Sequence, residues 1–240
     1  MRAMILAAGF GTRLQDLTLD LPKPLITIHG HYLIEYALYL LKSAGITEII
    51  INTHYHADKI RTAIQNGGSY GLSISYSHEE SILGTGGGLK NAEYFFGDEP
   101  FVLINSDIIC DVDLRLVIGD HLKNHADATM VVREDRSLPN YNEILLNEDR
   151  KVLSVSQIPF VQTPKPVIER MFTGIHILSP IVFTYLEPSF SSIISDFYQK
   201  AIADGLKIYG YDFSGFWVDA GTKKEVESAN KSSKLPVIHF

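Results

Sequence analysis

The chain has 240 residues, 45% of them hydrophobic, which is enough to bury a full core in a single domain. A formal net charge of −7, with no basic stripe or arginine cluster, excludes a nucleic-acid footprint. One cysteine, Cys110, excludes an internal disulfide and reads as a buried small hydrophobe, while no leader-like start and no apolar run of about 18 residues occurs, so a soluble cytoplasmic protein without membrane contact is expected.

In chain order, an apolar strand over 4–8 runs into Gly9-Phe10-Gly11-Thr12-Arg13-Leu14, followed by Pro22-Lys23-Pro24-Leu25. Glycines directly after a strand let backbone approach a ligand, and successive amide groups in such a turn make an anion site. Arg13 and Lys23 add two positive charges, so the expected ligand is a nucleoside triphosphate. Leu14 stands where a dinucleotide fingerprint needs its third glycine, and no Gly-Lys-Ser/Thr ending is present, so neither common nucleotide motif applies.

The spacing then predicts a helix over 33–42 closed by Ala44-Gly45, a buried strand over 48–52 and a helix over 58–66. A strand over 72–77 leads to a second glycine cluster, Gly84-Thr85-Gly86-Gly87-Gly88, read as a ligand-approaching loop ahead of a helix over 89–95. The strand 101–104 ends in Asn105-Ser106-Asp107, placing a carboxylate at a carboxyl strand end, where open parallel sheets bind ligands. A helix over 114–125 and a strand over 128–133 follow. From about residue 141 the pattern shifts to shorter strands, 141–146, 152–156 and 170–177, with a proline-rich stretch over 158–166.

Near the end, Trp217-Val218-Asp219-Ala220-Gly221-Thr222 sets a second carboxylate just before a helix over 222–233. Mg²⁺ takes hard oxygen ligands plus substrate phosphates, so Asp107 and Asp219 from distant strands make a candidate metal site. A lone aspartate is more often a cap or turn residue; the combination is what points to a metal. The His121/His125 and His54/His56 pairs lack a third ligand in sequence and are set aside as zinc sites. Alternating strands and helices predict an α/β fold with a mixed, mostly parallel Rossmann-like sheet flanked by helices on both faces.

Taken in order, the segments 6–14, 22–25, 83–87, 105–107 and 217–222 resemble the sugar-1-phosphate nucleotidylyltransferase family over nearly the whole chain. The resemblance implies the nucleotide-diphospho-sugar transferase fold in one domain, about 1–135 holding nucleotide and about 136–240 holding sugar. It implies that Leu6, Ala7, Ala8, Gly9, Gly11, Thr12, Arg13, Lys23, Glu79, Gly84 and Thr85 bind the nucleoside triphosphate. Arg13 would hold the departing pyrophosphate and Lys23 the reacting phosphates, with Mg²⁺ on Asp107 and Asp219. Asn105, Asn142, Glu143 and Gly174 match positions that grip the sugar 1-phosphate.

Within the family, the short length and the Thr85-Gly86-Gly87-Gly88 variant are most similar to uridylyltransferases acting on N-acetylmuramate 1-phosphate, in peptidoglycan recycling, with mannose-1-phosphate guanylyltransferases as close rivals. The base-reading position holds Glu79 or Glu80, where many uridylyltransferases carry glutamine; a carboxylate suits uracil N3–H or the guanine N1–H and N2–H₂ edge, and a solvated turn is the plain alternative. The family's Glu-Lys-Pro lysine is missing ahead of Gly174; Lys165 is a candidate substitute, with a solvated loop residue as the plainer alternative. No hexapeptide repeats follow the final helix, so a single activity is expected. A catalytically silent nucleotide-sugar-binding module is the competing class, disfavoured by retention of Arg13, Lys23, Asp107 and Asp219 together.

Overall fold

A computed structural model describes residues 1–134, 143–156, 158 and 166–240. Its strands and α-helices, in chain order, are β1 (Ala3–Leu6), β2 (Thr27–Ile28), β3 (His31–Tyr32), α1 (Leu33–Ser43), β4 (Glu48–Thr53), α2 (Ala57–Ile64), β5 (Ser73–His78), α3 (Gly84–Asn91), β6 (Phe101–Asn105) and β7 (Ile108–Cys110). They continue with α4 (Leu114–Lys123), β8 (Ala128–Arg133), β9 (Glu143–Leu146), β10 (Val152–Val155), β11 (Ile168–Leu178), α5 (Gln199–Ala203), β12 (Ile208–Asp212), β13 (Trp217–Asp219) and α6 (Lys223–Lys231). The chain passes back and forth between two compact units, one made of 1–82, 103–114 and 215–240, the other of 83–102 and 115–214.

In the first unit β1 pairs in parallel with β4, and β4 with β5, in registers Ala3↔Ile49 and Glu48↔Ser73. β1 and β4 are apolar, largely buried runs, as strands covered on both faces require, whereas β5, at the end of the strand order, alternates the exposed Ser73 and Ser75 with the buried Ile74. Helix α1 starts with a capping box in which Tyr32 N–H donates to Glu35 Oε2 at 2.7 Å. It stops where Gly45 adopts φ 79° and the Gly45 and Ile46 amides return to Lys42 and Leu41, a Schellman closure that an L-residue would strain. Its apolar face, with Leu33 and Tyr36, packs on Leu14, Ile26, Ile28 and Ile109 and on Val226 and Ala229 of α6. Helix α6 carries its own capping box, Thr222 with Glu225.

In the second unit the order is β10-β9-β11-β8-β12, antiparallel except for the parallel pair β8 and β12. β11 changes register against β8 between Phe172 and His176, and Gly174, at φ 87°, sits in that irregularity. The glycines expected to form a loop before a helix are instead the helix: α3 begins at Gly84 itself, and only a short 3₁₀ turn, Glu93–Phe95, lies beyond it. Glycine costs about 1 kcal/mol per helical position relative to alanine, and the unit recovers that through close backbone packing. A Cβ on Gly84 would fall 2.5 Å from the Ser191 carbonyl oxygen, one on Gly86 would fall 2.8 Å from Ser191 Oγ, and one on Gly87 would overlap the Ser189 carbonyl. No helix among the described residues is long and apolar enough to cross a membrane.

Candidate active site

The first unit gathers four charged residues that are remote in sequence. Asp107 ends the short connection from β6 to β7, and β7 pairs antiparallel with β13 so that Ile108 faces Asp219. The Ala220 amide donates to the Asp107 carbonyl at 2.9 Å, closing that pair at the two aspartates. Two carboxylates are thereby held side by side by main-chain hydrogen bonds, not by flexible side chains.

Lys23 stands against both. Its ammonium is ion-paired with Asp107 and lies 4.0 Å from Asp219 Oδ1. Pro22 and Pro24 fix the backbone around it, the residue opens a 3₁₀ turn, and it is only 9% exposed. A largely buried lysine needs such partners, since desolvation of an unpaired ammonium is costly.

The glycine loop reaches the same place. Gly11 adopts φ 67°, and a Cβ there would meet Thr18 Cγ2 at 3.0 Å and Lys23 Cβ at 3.1 Å, so glycine is required both by conformation and by close approach. Thr18 returns its hydroxyl to the Gly11 carbonyl at 3.1 Å. A Cβ on Gly221 would fall 2.9 Å from Asp219 Oδ1 and 3.1 Å from Arg13 Nη2, which puts the Arg13 guanidinium beside Asp219. Gly9 has open space around its Cα. Arg13, Lys23, Asp107 and Asp219 thus converge within one unit, with Leu6, Ala7, Ala8, Gly9, Gly11 and Thr12 on the chain that leads in.

Asp107 Oδ1 is a buried oxygen with no hydrogen-bond partner among the described residues. With Asp219 it offers hard carboxylate oxygens, the donor chemistry that Mg²⁺ takes in company with phosphates, so the residues fit such an ion. No group of three or more His, Cys, Asp or Glu among the described residues is placed to hold a metal by protein ligands alone.

Glu79 is not a solvated turn residue. It is 1% exposed, and its Oε1 accepts from Asn52 Nδ2 at 2.7 Å; Glu80 is the exposed neighbour. Asn52 was not singled out by sequence, and its only signal is a polar residue inside an isoleucine-rich strand. Asn105 is half-buried at the end of β6, next to the Ser106 amide that donates to the Leu6 carbonyl at 3.1 Å.

In the second unit, Gly84 is explained by packing and the exposed Thr85 accepts from the Ile193 amide at 3.0 Å. Glu143 opens β9 opposite Met171, and Gly174 lies on the neighbouring β11. Asn142, Lys165 and most of the proline-rich stretch fall outside the described residues. Arg133, Glu134, Arg170, Asp212, Phe213 and Ser214 line a cavity of about 500 Å³. Within it Arg170 is ion-paired with Asp212; Phe172 and Asp212 both oppose Val132, so the two charges lie over one face of the sheet.

Two histidines, His121 and His176, are buried in the fold. His121 hydrogen-bonds Thr129 Oγ1 at 3.0 Å and burial pushes its pKa down to about 4, with Asp127 and Asp120 acting weakly in the other direction. His176 meets the Tyr198 hydroxyl at 2.6 Å, and complete burial pushes it down to about 3.

A glycine loop, a buried lysine and two strand-end carboxylates come together on an α/β scaffold as a candidate site for phosphates, and solved structures of that scaffold superpose on the chain. A chain assigned as a glucose-1-phosphate thymidylyltransferase from Bacillus anthracis, solved with sucrose, aligns with TM-score 0.85 and 25% identity over 100% of this chain and 97% of its own. HddC from Yersinia pseudotuberculosis complexed with GMP-PN aligns with TM-score 0.78 and 25% identity over 96% and 98%. The nucleotide-diphospho-sugar transferase fold expected from sequence is therefore the fold observed. The chain belongs to the nucleotidyl transferase family, whose profile matches residues 2–234.

Among curated relatives, a mannose-1-phosphate guanyltransferase from Aspergillus fumigatus is 35% identical over 230 residues, covering 94% of this chain and 62% of the relative. The catalytic subunit beta of mannose-1-phosphate guanylyltransferase from Drosophila pseudoobscura pseudoobscura is 31% identical over 228 residues, covering 93% and 60%. The chain thus spans about 62% of the length of such relatives. These matches carry the name of the rival reading of the sequence, not that of an N-acetylmuramate uridylyltransferase.

Proposed function

We propose that the protein is a sugar-1-phosphate nucleotidylyltransferase that joins GTP and mannose 1-phosphate into GDP-mannose with release of pyrophosphate. The observation that carries the chemistry is the convergence of Lys23 on Asp107 and Asp219 beside Gly11 and Arg13. An oxygen of the sugar 1-phosphate attacks the α-phosphorus of the triphosphate, and the bond from that phosphorus to the β-phosphate oxygen breaks. Two anions must be brought together, so positioning and neutralisation suffice and no protein nucleophile is needed. Lys23 holds the phosphates at the reacting centre, Arg13 the departing pyrophosphate, and the glycine-loop amides the rest of the triphosphate. Mg²⁺ held by Asp107 and Asp219 would neutralise phosphate charge when bound.

The choice of GTP and mannose rests on the relatives and on the GMP-PN bound to HddC. The UTP and N-acetylmuramate reading rests on the short length and on the Thr85-Gly86-Gly87-Gly88 variant, of which Gly86 and Gly87 have a packing reason within their own unit. Guanidiniums and carboxylates of the cavity at Arg133 and Arg170 have the donor and acceptor set that sugar hydroxyls require. Incubation with each of GTP, UTP, dTTP and CTP against mannose, glucose, N-acetylglucosamine and N-acetylmuramate 1-phosphates, with mass-spectrometric identification of the nucleotide sugar, tests the reading. GDP-mannose is the expected product; UDP-N-acetylmuramate would restore the other reading, and no product in any pairing would leave a silent binding module.

A further inference from the structure

We infer that Asn52, with Glu79 behind it, is a positioning residue that holds the start of the glycine loop in its ligand-ready shape. The inference rests on the proposed nucleoside triphosphate site. Asn52 lies in β4 at 2% exposure; its Oδ1 accepts from the Ala7 amide at 2.7 Å and its Nδ2 donates to Glu79 Oε1 at 2.7 Å. Ala7 is the residue at which β1 gives way to Ala8-Gly9-Phe10-Gly11.

The polarity of this chain of bonds is fixed from one end. A backbone N–H can only donate, so the Asn52 oxygen must face Ala7 and its nitrogen must face Glu79. Glu79 is therefore required as an acceptor that keeps the amide from flipping. Nearly complete burial turns this side chain toward Asn52 and away from solvent, so its work is inside the fold rather than at the edge of a nucleobase. His54, whose Nδ1 lies 2.8 Å from the Glu79 carbonyl, and whose ring packs edge-on against Phe10 in the loop, ties the same two segments a second time.

Reciprocal substitution tests this. Asn52→Asp keeps an acceptor for Ala7 but sets two carboxylates face to face, so the loop start loosens. Glu79→Gln keeps an acceptor for Asn52, and the double variant N52D/E79Q restores one donor between the pair. The expected result is a rise of about tenfold in KM for GTP in N52D, the order set by losing one buried hydrogen bond. KM for mannose 1-phosphate should change less than threefold, as should both constants in E79Q, and the double variant should recover most of the loss. Amide exchange measured on the wild type and N52D should speed up selectively over residues 7–9 in the variant, a readout that needs no turnover.

Unaltered exchange at 7–9 together with an unaltered KM for GTP in N52D would overturn the assignment. So would a change of base preference in E79Q, which would return Glu79 to direct base reading. Failure of the wild type to bind or use GTP would refute the guanylyl reading, and failure with GTP, UTP, dTTP and CTP alike the nucleotide reading, while the exchange arm would still decide whether Asn52 holds the loop. If N52D does not fold, E79Q against Glu79→Leu makes the same comparison, with E79L expected to behave as N52D and an E79L matching E79Q counting against the assignment.

Discussion

Lys23 and Asp107 form an ion pair at the closed end of the β7–β13 ladder, and the same ammonium stands 4.0 Å from Asp219. One ammonium thereby faces two carboxylates. Replacing it exposes what each partner contributes.

Lys23→Met is expected to lower kcat by about 10² to 10³-fold, the range for removing a group that stabilises developing charge. It should also destabilise the metal-free protein by about 2 kcal/mol through the unopposed carboxylates. Because a divalent cation can take the ammonium's electrostatic place, Mg²⁺ should raise the melting temperature of the variant more than that of the wild type. Thermal scans with and without Mg²⁺ measure this; equal shifts would contradict a metal on Asp107 and Asp219.

Gly87→Ala addresses the second glycine cluster. The new Cβ would overlap the Ser189 carbonyl, and backbone cannot yield as a flexible side-chain end can. Overpacking of this kind costs about 1–3 kcal/mol. A lowered denaturation midpoint with base preference kept is expected; a wild-type midpoint with altered base preference would make the cluster a ligand loop after all.

Thr222→Ala removes the side chain that accepts the Glu225 amide at 3.3 Å and half of the capping box on α6. A loss of about 1 kcal/mol is expected in urea melts. Asp219 is held independently by its pairing with Ile108, so activity at 25 °C should stay within a few-fold.

Stability should fall with acid below neutrality in a way that two histidines set. Burial pushes His121 down to about 4 and His176 down to about 3, whereas unfolded histidines titrate near 6.5. In that interval the unfolded chain binds more protons, so the stabilisation is complete above about pH 6.5 and is lost as pH drops toward 4. The slope is at most about 1.4 kcal/mol per pH unit for each group. Urea melts from pH 7 to 4.5 should show a shallower decline in His121→Gln than in the wild type.

Much of this was legible in sequence because it is local. Periodicity and caps located α1, β4, β8 and α6 to within a residue or two, and Gly45 and Thr222 announced their helix ends. Strand-end position marks Asp107 and Asp219 in the sequence as candidate partners, but the β7–β13 ladder that brings them together is not legible there, since three-residue strands leave no periodic signal. Gly84 to Gly88 were read as loop because glycine disfavours helix, and the tertiary contact with Ser189 and Ser191 that overrides this propensity is invisible locally. Glu79 showed an acidic pair with Glu80 and nothing of its burial; only β4 lying beside β5 brings Asn52 to it.

The central claim, a guanylyl transfer built on Lys23, Asp107 and Asp219, is tested most directly by pyrophosphate release from GTP and mannose 1-phosphate with Mg²⁺, comparing the wild type with Asp107→Asn. The account predicts turnover in the wild type that stops on chelation and falls by at least about 10²-fold in the variant, whose fold is retained. Turnover with UTP but not GTP would contradict the substrate assignment, and full activity in Asp107→Asn would contradict the site.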